Sequence, residues 1–150
     1  MTAADRTLDD QARIRELTEQ WAETVRSRDV ERIMQIYADD VRAFDAVAQL
    51  QFKGKAAYKA HWQACMEQCP AQGSMQFKID QLQVETGGDL GLAHYLCYCG
   101  GTDEKGEEQG SWMRVTVGWR RIGGEWKITH DHFSAPFDMK TGETLFKLQP

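Results

Sequence analysis

Gly123-Gly124-Glu125-Trp126-Lys127-Ile128-Thr129-His130-Asp131-His132-Phe133-Ser134-Ala135-Pro136 closes the folded part of the chain, and its reading decides the fold. The Gly-Gly pair is the turn of a tight hairpin, and the alternation behind it predicts a strand over residues 125–134. Its hairpin partner is the strand predicted over 112–121. There Met113, Val115, Val117 and Trp119 alternate with polar residues that include Arg114 and Thr116. Side chains two apart on a strand share a face. Unbroken alternation therefore points His130 and His132 into the core beside Trp126 and Ile128, and turns Asp131 away.

Upstream, a polar loop over 101–110 and a turn at Gly87-Gly88-Asp89 bound a strand over 90–100. From Ser74 the apolar period is two: Met75, Phe77 and Ile79 carry it first, then Leu82 and Val84. That change of phase predicts a β-bulge near Asp80-Gln81. Before Ser74 the period is helical. Thr7-x-x-Asp10 reads as a capping box for a helix reaching about Arg28, with Ile14, Leu17, Trp21 and Val25 as its stripe. Asp29 is placed to cap a second helix carrying Val30, Ile33, Met34 and Tyr37. Two short strands, Val41-Arg42-Ala43-Phe44 and Leu50-Gln51-Phe52, follow. After Gly54 a third helix aligns Tyr58, Trp62, Cys65 and Cys69 and stops at Pro70. Three helices ahead of four long strands predict an α+β fold, with helices covering the concave side of a bent sheet and a pocket at its mouth.

The 150 residues suffice for one cored domain, and a charged fraction of 27% is globular composition. No apolar run approaches the roughly 20 residues of a membrane span, and the first residues show no secretory pattern, so a cytoplasmic protein is expected. Net charge is −5, and the largest basic cluster is Arg120-Arg121 with Lys127, too small to track phosphates. Neither nucleic acid nor membrane is an expected partner. The cysteines, spaced i,i+4 (Cys65, Cys69) and i,i+2 (Cys97, Cys99), lack the C-x-x-C spacing of a zinc or redox motif and read as buried thiols.

Two segments resemble a known family. Arg28-Asp29-Val30, Tyr37-Ala38-Asp39-Asp40-Val41 and Phe44-Asp45 are similar to the helix, Asp-Asp and strand region of NTF2-like proteins. The closing Trp126-x-Ile128-x-His130-x-His132-x-Ser134-x-Pro136 resembles the last strand of SnoaL-like domains. The resemblance implies one domain over residues 1–150. Its fold would be a cone-shaped, curved mixed β-sheet wrapped by three N-terminal helices, the cystatin-like α+β barrel. It also brings a range of roles: ketosteroid isomerase, polyketide cyclase, or the non-catalytic association domain of calmodulin-dependent kinase. Carried over by position, the isomerase base falls on Asp45, the oxyanion-hole tyrosine on Trp21 and the oxyanion-hole acid on Thr116, which has no carboxyl.

The expected site follows. Asp45 is the candidate base, since a carboxylate facing an apolar cavity has its pKa raised. His132 or His130 is its proton-transfer partner. Arg114 anchors a substrate carboxylate or pairs with Asp45, and Thr116 shares its face. Trp21, Tyr37, Trp62 and Tyr95 supply apolar lining. The alternatives are structural histidines and a turn aspartate. A His94, His130, His132 metal site with Asp45 or Asp131 fits no defined spacing, so no metal and no cofactor are expected. The reading is an acid–base isomerase, cyclase or dehydratase for a small apolar carbonyl compound, or else a binding or association module. If Arg114 and Thr116 face the pocket, the row Met113, Val115, Val117 and Trp119 is the outer sheet face and a homodimer interface.

Overall fold

The computed structural model describes residues 1–68 and 75–150. Helix α1 (Ala3–Ser27) starts a turn earlier than Thr7 and Asp10 predict. Thr2 is the N-cap: its hydroxyl accepts the Asp5 amide at 3.1 Å, and the Asp5 carboxylate accepts the Thr2 amide at 2.9 Å. Thr7 instead donates to the Ala3 carbonyl, and Asp10 pairs in fork geometry with Arg121 at 3.0 and 2.8 Å. Both members of the expected box are thus engaged inside the helix and across to the sheet. Helix α2 (Val30–Met34) is capped by Asp29 as expected, its carboxylate accepting the Arg32 amide at 3.3 Å. Helix α3 spans Lys55–Gln68. The expected stripe end Cys69, the stop at Pro70 and the change of period at Ser74 lie outside the described residues.

Six strands form one mixed sheet: β1 (Tyr37–Phe44), β2 (Phe52–Lys53), β3 (Gln76–Gly87), β4 (Leu90–Thr102), β5 (Glu108–Ile122) and β6 (Glu125–Ser134). Their order is β2-β1-β6-β5-β4-β3, with β1 and β6 parallel and all other neighbours antiparallel. The β4–β5 loop is shorter than the predicted 101–110, because the Asp103 carboxylate gathers the amides of Lys105 and Glu107 into a compact turn.

The helices lie on one sheet face. Ile14, Trp21 and Val25 of α1 and Tyr58 of α3 are buried with Phe77, Tyr95, Val115, Val117, Trp119 and Ile128. Close approach of α1 depends on Gly91, where a β-carbon would stand 2.7 Å from Ile14 Cδ1. The row Val115, Val117 and Trp119 is therefore core, with Met113 packed against it, while Arg114 and Thr116 are exposed on the opposite face. This reverses the expected assignment of the two faces of β5. An apolar row on a two-faced strand goes under the helices, where burying each large side chain is worth roughly 2–3 kcal/mol.

Two irregularities shape the long strands. Between Asp80 and Gln83 the β3–β4 register slips, with Gln81 at φ 58°, which is the bulge expected from the phase change. A second slip was not expected. Trp119 stands opposite Ile128 and Gly118 opposite His130, leaving Thr129 as an extra residue in β6. Beyond it the alternation is inverted. Trp126 and Ile128 face the core before the bulge, and Asp131 and Phe133 face it after. His130 and His132 are thereby turned to the outer face. Among the described residues no helix is long and apolar enough to cross a membrane.

Candidate functional site

The bulge at Thr129 sets an aspartate into the protein interior. Asp131 is 1% exposed. Its Oδ2 accepts two phenolic O–H groups, from Tyr37 at the start of β1 at 2.8 Å and from Tyr58 on α3 at 3.2 Å. The two rings meet edge to face at 5.3 Å, which fixes both hydroxyls on one oxygen. The other oxygen, Oδ1, is buried without a hydrogen-bond partner among the described residues.

Burial dominates the electrostatics. Desolvation pushes the Asp131 carboxyl up to about 7, against the opposing pull of the two tyrosine hydrogen bonds and with a further push from the charge of Asp45. Tyr37 and Tyr58 are driven well above the usual phenol range, chiefly by burial, so both remain neutral donors. Because Oδ2 already accepts two protons' worth of hydrogen bonding, a protonated Asp131 carries its hydrogen on Oδ1. Asp131 is one wall of a void of ≈ 10 Å³, with Trp21, Tyr37, Tyr95, Trp119 and Ile128 among the others. The indole N–H groups of Trp21, Trp62, Trp119 and Trp126 are also buried without hydrogen-bond partners among the described residues.

A second polar pair lies alongside. Asp45, directly after β1, places Oδ2 2.6 Å from His61 Nε2, while its Oδ1 accepts the Ala46 amide at 2.6 Å. The side chains are 17% and 5% exposed. The His61 ring stacks on Phe52 at 4.1 Å, and Cys65 one turn along α3 brings Sγ to 3.6 Å from Nε2. The sulfur and Asp45 thus approach the same ring nitrogen, which is not the relay geometry of a nucleophile, base and orienting acid. Among the described residues, no three His, Cys, Asp or Glu side chains cluster as a metal site would require.

Of the residues singled out in the sequence, Trp21, Tyr37 and Tyr95 meet at the inner void, and Trp62 backs them by an edge contact with Trp21 at 5.9 Å. Asp45 is close by but engaged with His61. His130 and His132 are elsewhere. Their rings pack on Phe44 on the outer face at 4.8 and 5.5 Å, and His130 donates from Nδ1 to the Arg42 carbonyl at 2.6 Å. Asp45 and His132 do border one outer groove of ≈ 610 Å³, formed by Phe44 and residues 46–51, but the Asp45 carboxylate is hydrogen-bonded to His61 instead. Arg114 donates to Ser134 Oγ at 3.1 Å rather than pairing with Asp45, and Thr116 lies in register between His94 and His132.

Two central residues were missed. His61 shares the inward stripe of Tyr58, Trp62 and Cys65, so its helical spacing could have found it. Asp131 could have been found from Phe133: an apolar residue at odd parity, after Trp126 and Ile128 at even parity, requires a change of phase between them.

The sequence model of the SnoaL-like domain matches residues 14–138. Among solved structures, an NTF2-like protein of unknown function from Pseudomonas putida is 50% identical, with a TM-score of 0.88 over 96% of this chain and 99% of that one. The association domain of the Caenorhabditis elegans calmodulin-dependent kinase II gives 0.71 at 16% identity, covering 87% and 98% of the two chains. An NTF2-like protein from Streptomyces avermitilis, provisionally described as a dehydratase, gives 0.70 at 17% identity over 84% and 96%. The last two likenesses are of fold alone. No curated protein matches the chain.

Proposed function

This chain belongs to the SnoaL-like domain family, and from that premise we propose that it is a cofactor-independent acid–base catalyst acting on a small, mostly apolar carbonyl compound. The reaction class is isomerisation, cyclisation or dehydration, each a matter of moving protons next to a carbonyl. One observation carries the reading. Asp131 is a buried carboxyl pushed up to about 7, it lines a void among aromatic rings, and its Oδ1 has no hydrogen-bond partner among the described residues. A general acid or base works best when its pKa lies near the ambient pH. In this scheme Asp131 gives or takes the proton at Oδ1, and Tyr37 and Tyr58 hold Oδ2. The Asp45 carboxylate next to the site adds to the burial that holds the Asp131 pKa up. The role first considered for His130 and His132 passes to Asp131.

The test is a turnover screen over small ketones, enones and β-hydroxy ketones. Asp131→Asn is expected to lower kcat/KM at least a hundredfold on any substrate found, while His132→Ala leaves it within threefold. Full activity in Asp131→Asn would overturn the assignment.

A second reading, compatible with the first, is self-association. Among the described residues no helix packs on the sheet face that carries Leu92, His94, Arg114, Thr116 and His132. Six strands at about 4.8 Å spacing and some ten residues in length offer about 800 Å², the area one partner contributes to a standard interface. A homodimer on this face predicts light scattering at twice the 17.1 kDa chain mass, reduced to the monomer by Thr116→Lys. A monomeric wild type at 100 μM would exclude it.

A further inference from the structure

Strand pairing maps the outer sheet face residue by residue. One row runs Gln83, His94, Thr116, His132 and Phe44 across β3, β4, β5, β6 and β1. The next runs Glu85, Leu92, Gly118, His130, Arg42 and Lys53, from β3 to β2. A third holds Asp80, Leu96, Arg114 and Ser134. Three of the chain's four histidines thus share this face, and imidazole is the side chain whose charge changes between pH 5 and 8.

The charges on the face are unevenly spread. From β1 across β6 and β5 to β4 these rows hold no carboxylate, only Arg42 and Arg114. Asp80 and Glu85 lie on the β3 edge with Lys78, and Lys53 extends the basic edge on β2. The other acids along the strands are engaged: Asp40 with Arg120 at 3.1 Å, Glu125 with Lys127 at 3.6 Å, and Glu108 with the Tyr98 hydroxyl at 2.8 Å. One edge is therefore basic and the other is acidic on balance.

We propose that two copies stack these faces about a two-fold axis parallel to the strands, between β5 and β6, and that the pair holds only while its histidines are neutral.

This rests on the self-association reading above and adds to it an orientation and a control. The charge pattern selects the axis. Rotation about a strand-parallel two-fold carries β1 over the partner's β4 and β2 over the partner's β3, row against like row. Lys53 then faces the partner's Glu85, and neither has an ion partner within its own chain among the described residues. Phe44, which already packs on His130 and His132 at 4.8 and 5.5 Å, faces the partner's His94. His130 faces the partner's Gly118, where no side chain stands in its way. A two-fold perpendicular to the strands would instead lay the basic edge on itself. Stacked sheets are about 10 Å apart, so protonation would trap imidazolium charges in a narrow gap beside Arg42 and Arg114 of both copies. The fold itself is not the sensor, because proton uptake by Asp131 favours the folded chain as pH falls.

An ordinary imidazole titrates near pH 6.5. Keeping one neutral in the pair raises the dissociation constant about tenfold between pH 8 and pH 5.5, so one histidine from each copy gives about a hundredfold. Sedimentation equilibrium of the full chain at the two pH values is the test, with circular dichroism to show an unchanged fold. The dissociation constant should rise about a hundredfold or more at pH 5.5. The triple variant His94→Gln, His130→Asn, His132→Gln should dimerise at both pH values with constants within about threefold of each other. At pH 8, Lys53→Glu should weaken the pair about tenfold, and adding Glu85→Lys should restore it, since each symmetric pair carries the contact twice. A wild-type constant that does not change with pH, or a triple variant as pH-sensitive as wild type, would overturn the histidine control. A charge swap that fails to restore association would overturn the axis. A wild type monomeric at 100 μM and pH 8 removes the self-association reading itself, whereas a dimer indifferent to pH leaves that reading standing and removes this one.

Discussion

Replacing Asp131 with asparagine should change how stability depends on pH more than it changes stability itself. The carboxyl has a pKa of 3.8 when solvated and about 7 in the folded protein. The folded state therefore binds the proton more tightly, and stability must fall as pH rises between these values. A gap of about three pH units, at 1.36 kcal/mol each, sets a ceiling of about 4 kcal/mol between strong acid and neutral pH. Between pH 5 and pH 8 linkage gives a loss of about 2–3 kcal/mol from this one group. Asparagine keeps an acceptor for Tyr37 and Tyr58 but has no proton to lose, so this component vanishes. Groups common to both proteins, including Asp45 and His61, largely cancel in the comparison. Urea unfolding at pH 5, 6, 7 and 8 should show the wild-type curve falling by about 2–3 kcal/mol relative to the variant. Parallel curves would refute the raised carboxyl. A wild type that gains on the variant with rising pH would show that the two phenolic hydrogen bonds outweigh desolvation and that Asp131 is a stabilised anion.

The tyrosines should not be equivalent. Tyr37→Phe removes the shorter bond and should cost about 1–3 kcal/mol, more than Tyr58→Phe; each should extend the fall in stability to higher pH, since each removes a donor that favours the carboxylate. His61→Ala leaves the Asp45 carboxylate largely buried with only the Ala46 amide, and a destabilisation of about 1–3 kcal/mol is expected in urea unfolding at pH 7. Gly91→Ala places a methyl 2.7 Å from the tip of Ile14 and 3.3 Å from Trp119 Cβ. It should lower stability by about 1–2 kcal/mol, less if Ile14 changes rotamer, and an unchanged melting temperature would show that α1 stands further from the sheet than described.

The order of elements was legible because each announces itself by period, and the bulge in β3 because apolar residues mark both sides of it: Phe77 and Ile79 before, Leu82 and Val84 after. The bulge in β6 has apolar markers only at its ends. His130, Asp131 and His132 are all polar, so the alternation through them reads equally well in either phase, and Phe133 is the lone sign of the inversion. The faces of β5 were misassigned for a different reason. Placing Arg114 and Thr116 at the pocket overrode the simpler rule that the apolar row of a strand is the buried one. The role of Asp131 was not legible at all from local pattern, because the tyrosines that hold it are 94 and 73 residues away in sequence.

The extra residue at Thr129 also means that β6 carries two mutually exclusive sets of interior chemistry. With Thr129 bulged out the inward set is Asp131 and Phe133, and deleting Thr129 would keep that set on a regular strand; drawing Thr129 into the ladder would instead present His130 and His132 to the same cavity and send the aspartate to the surface. A one-residue shift of pairing, not a substitution, is thus what exchanges a carboxylic acid for imidazole at the centre of this scaffold. Comparisons between relatives that align β6 without a gap at this position would pair residues facing opposite sides of the sheet.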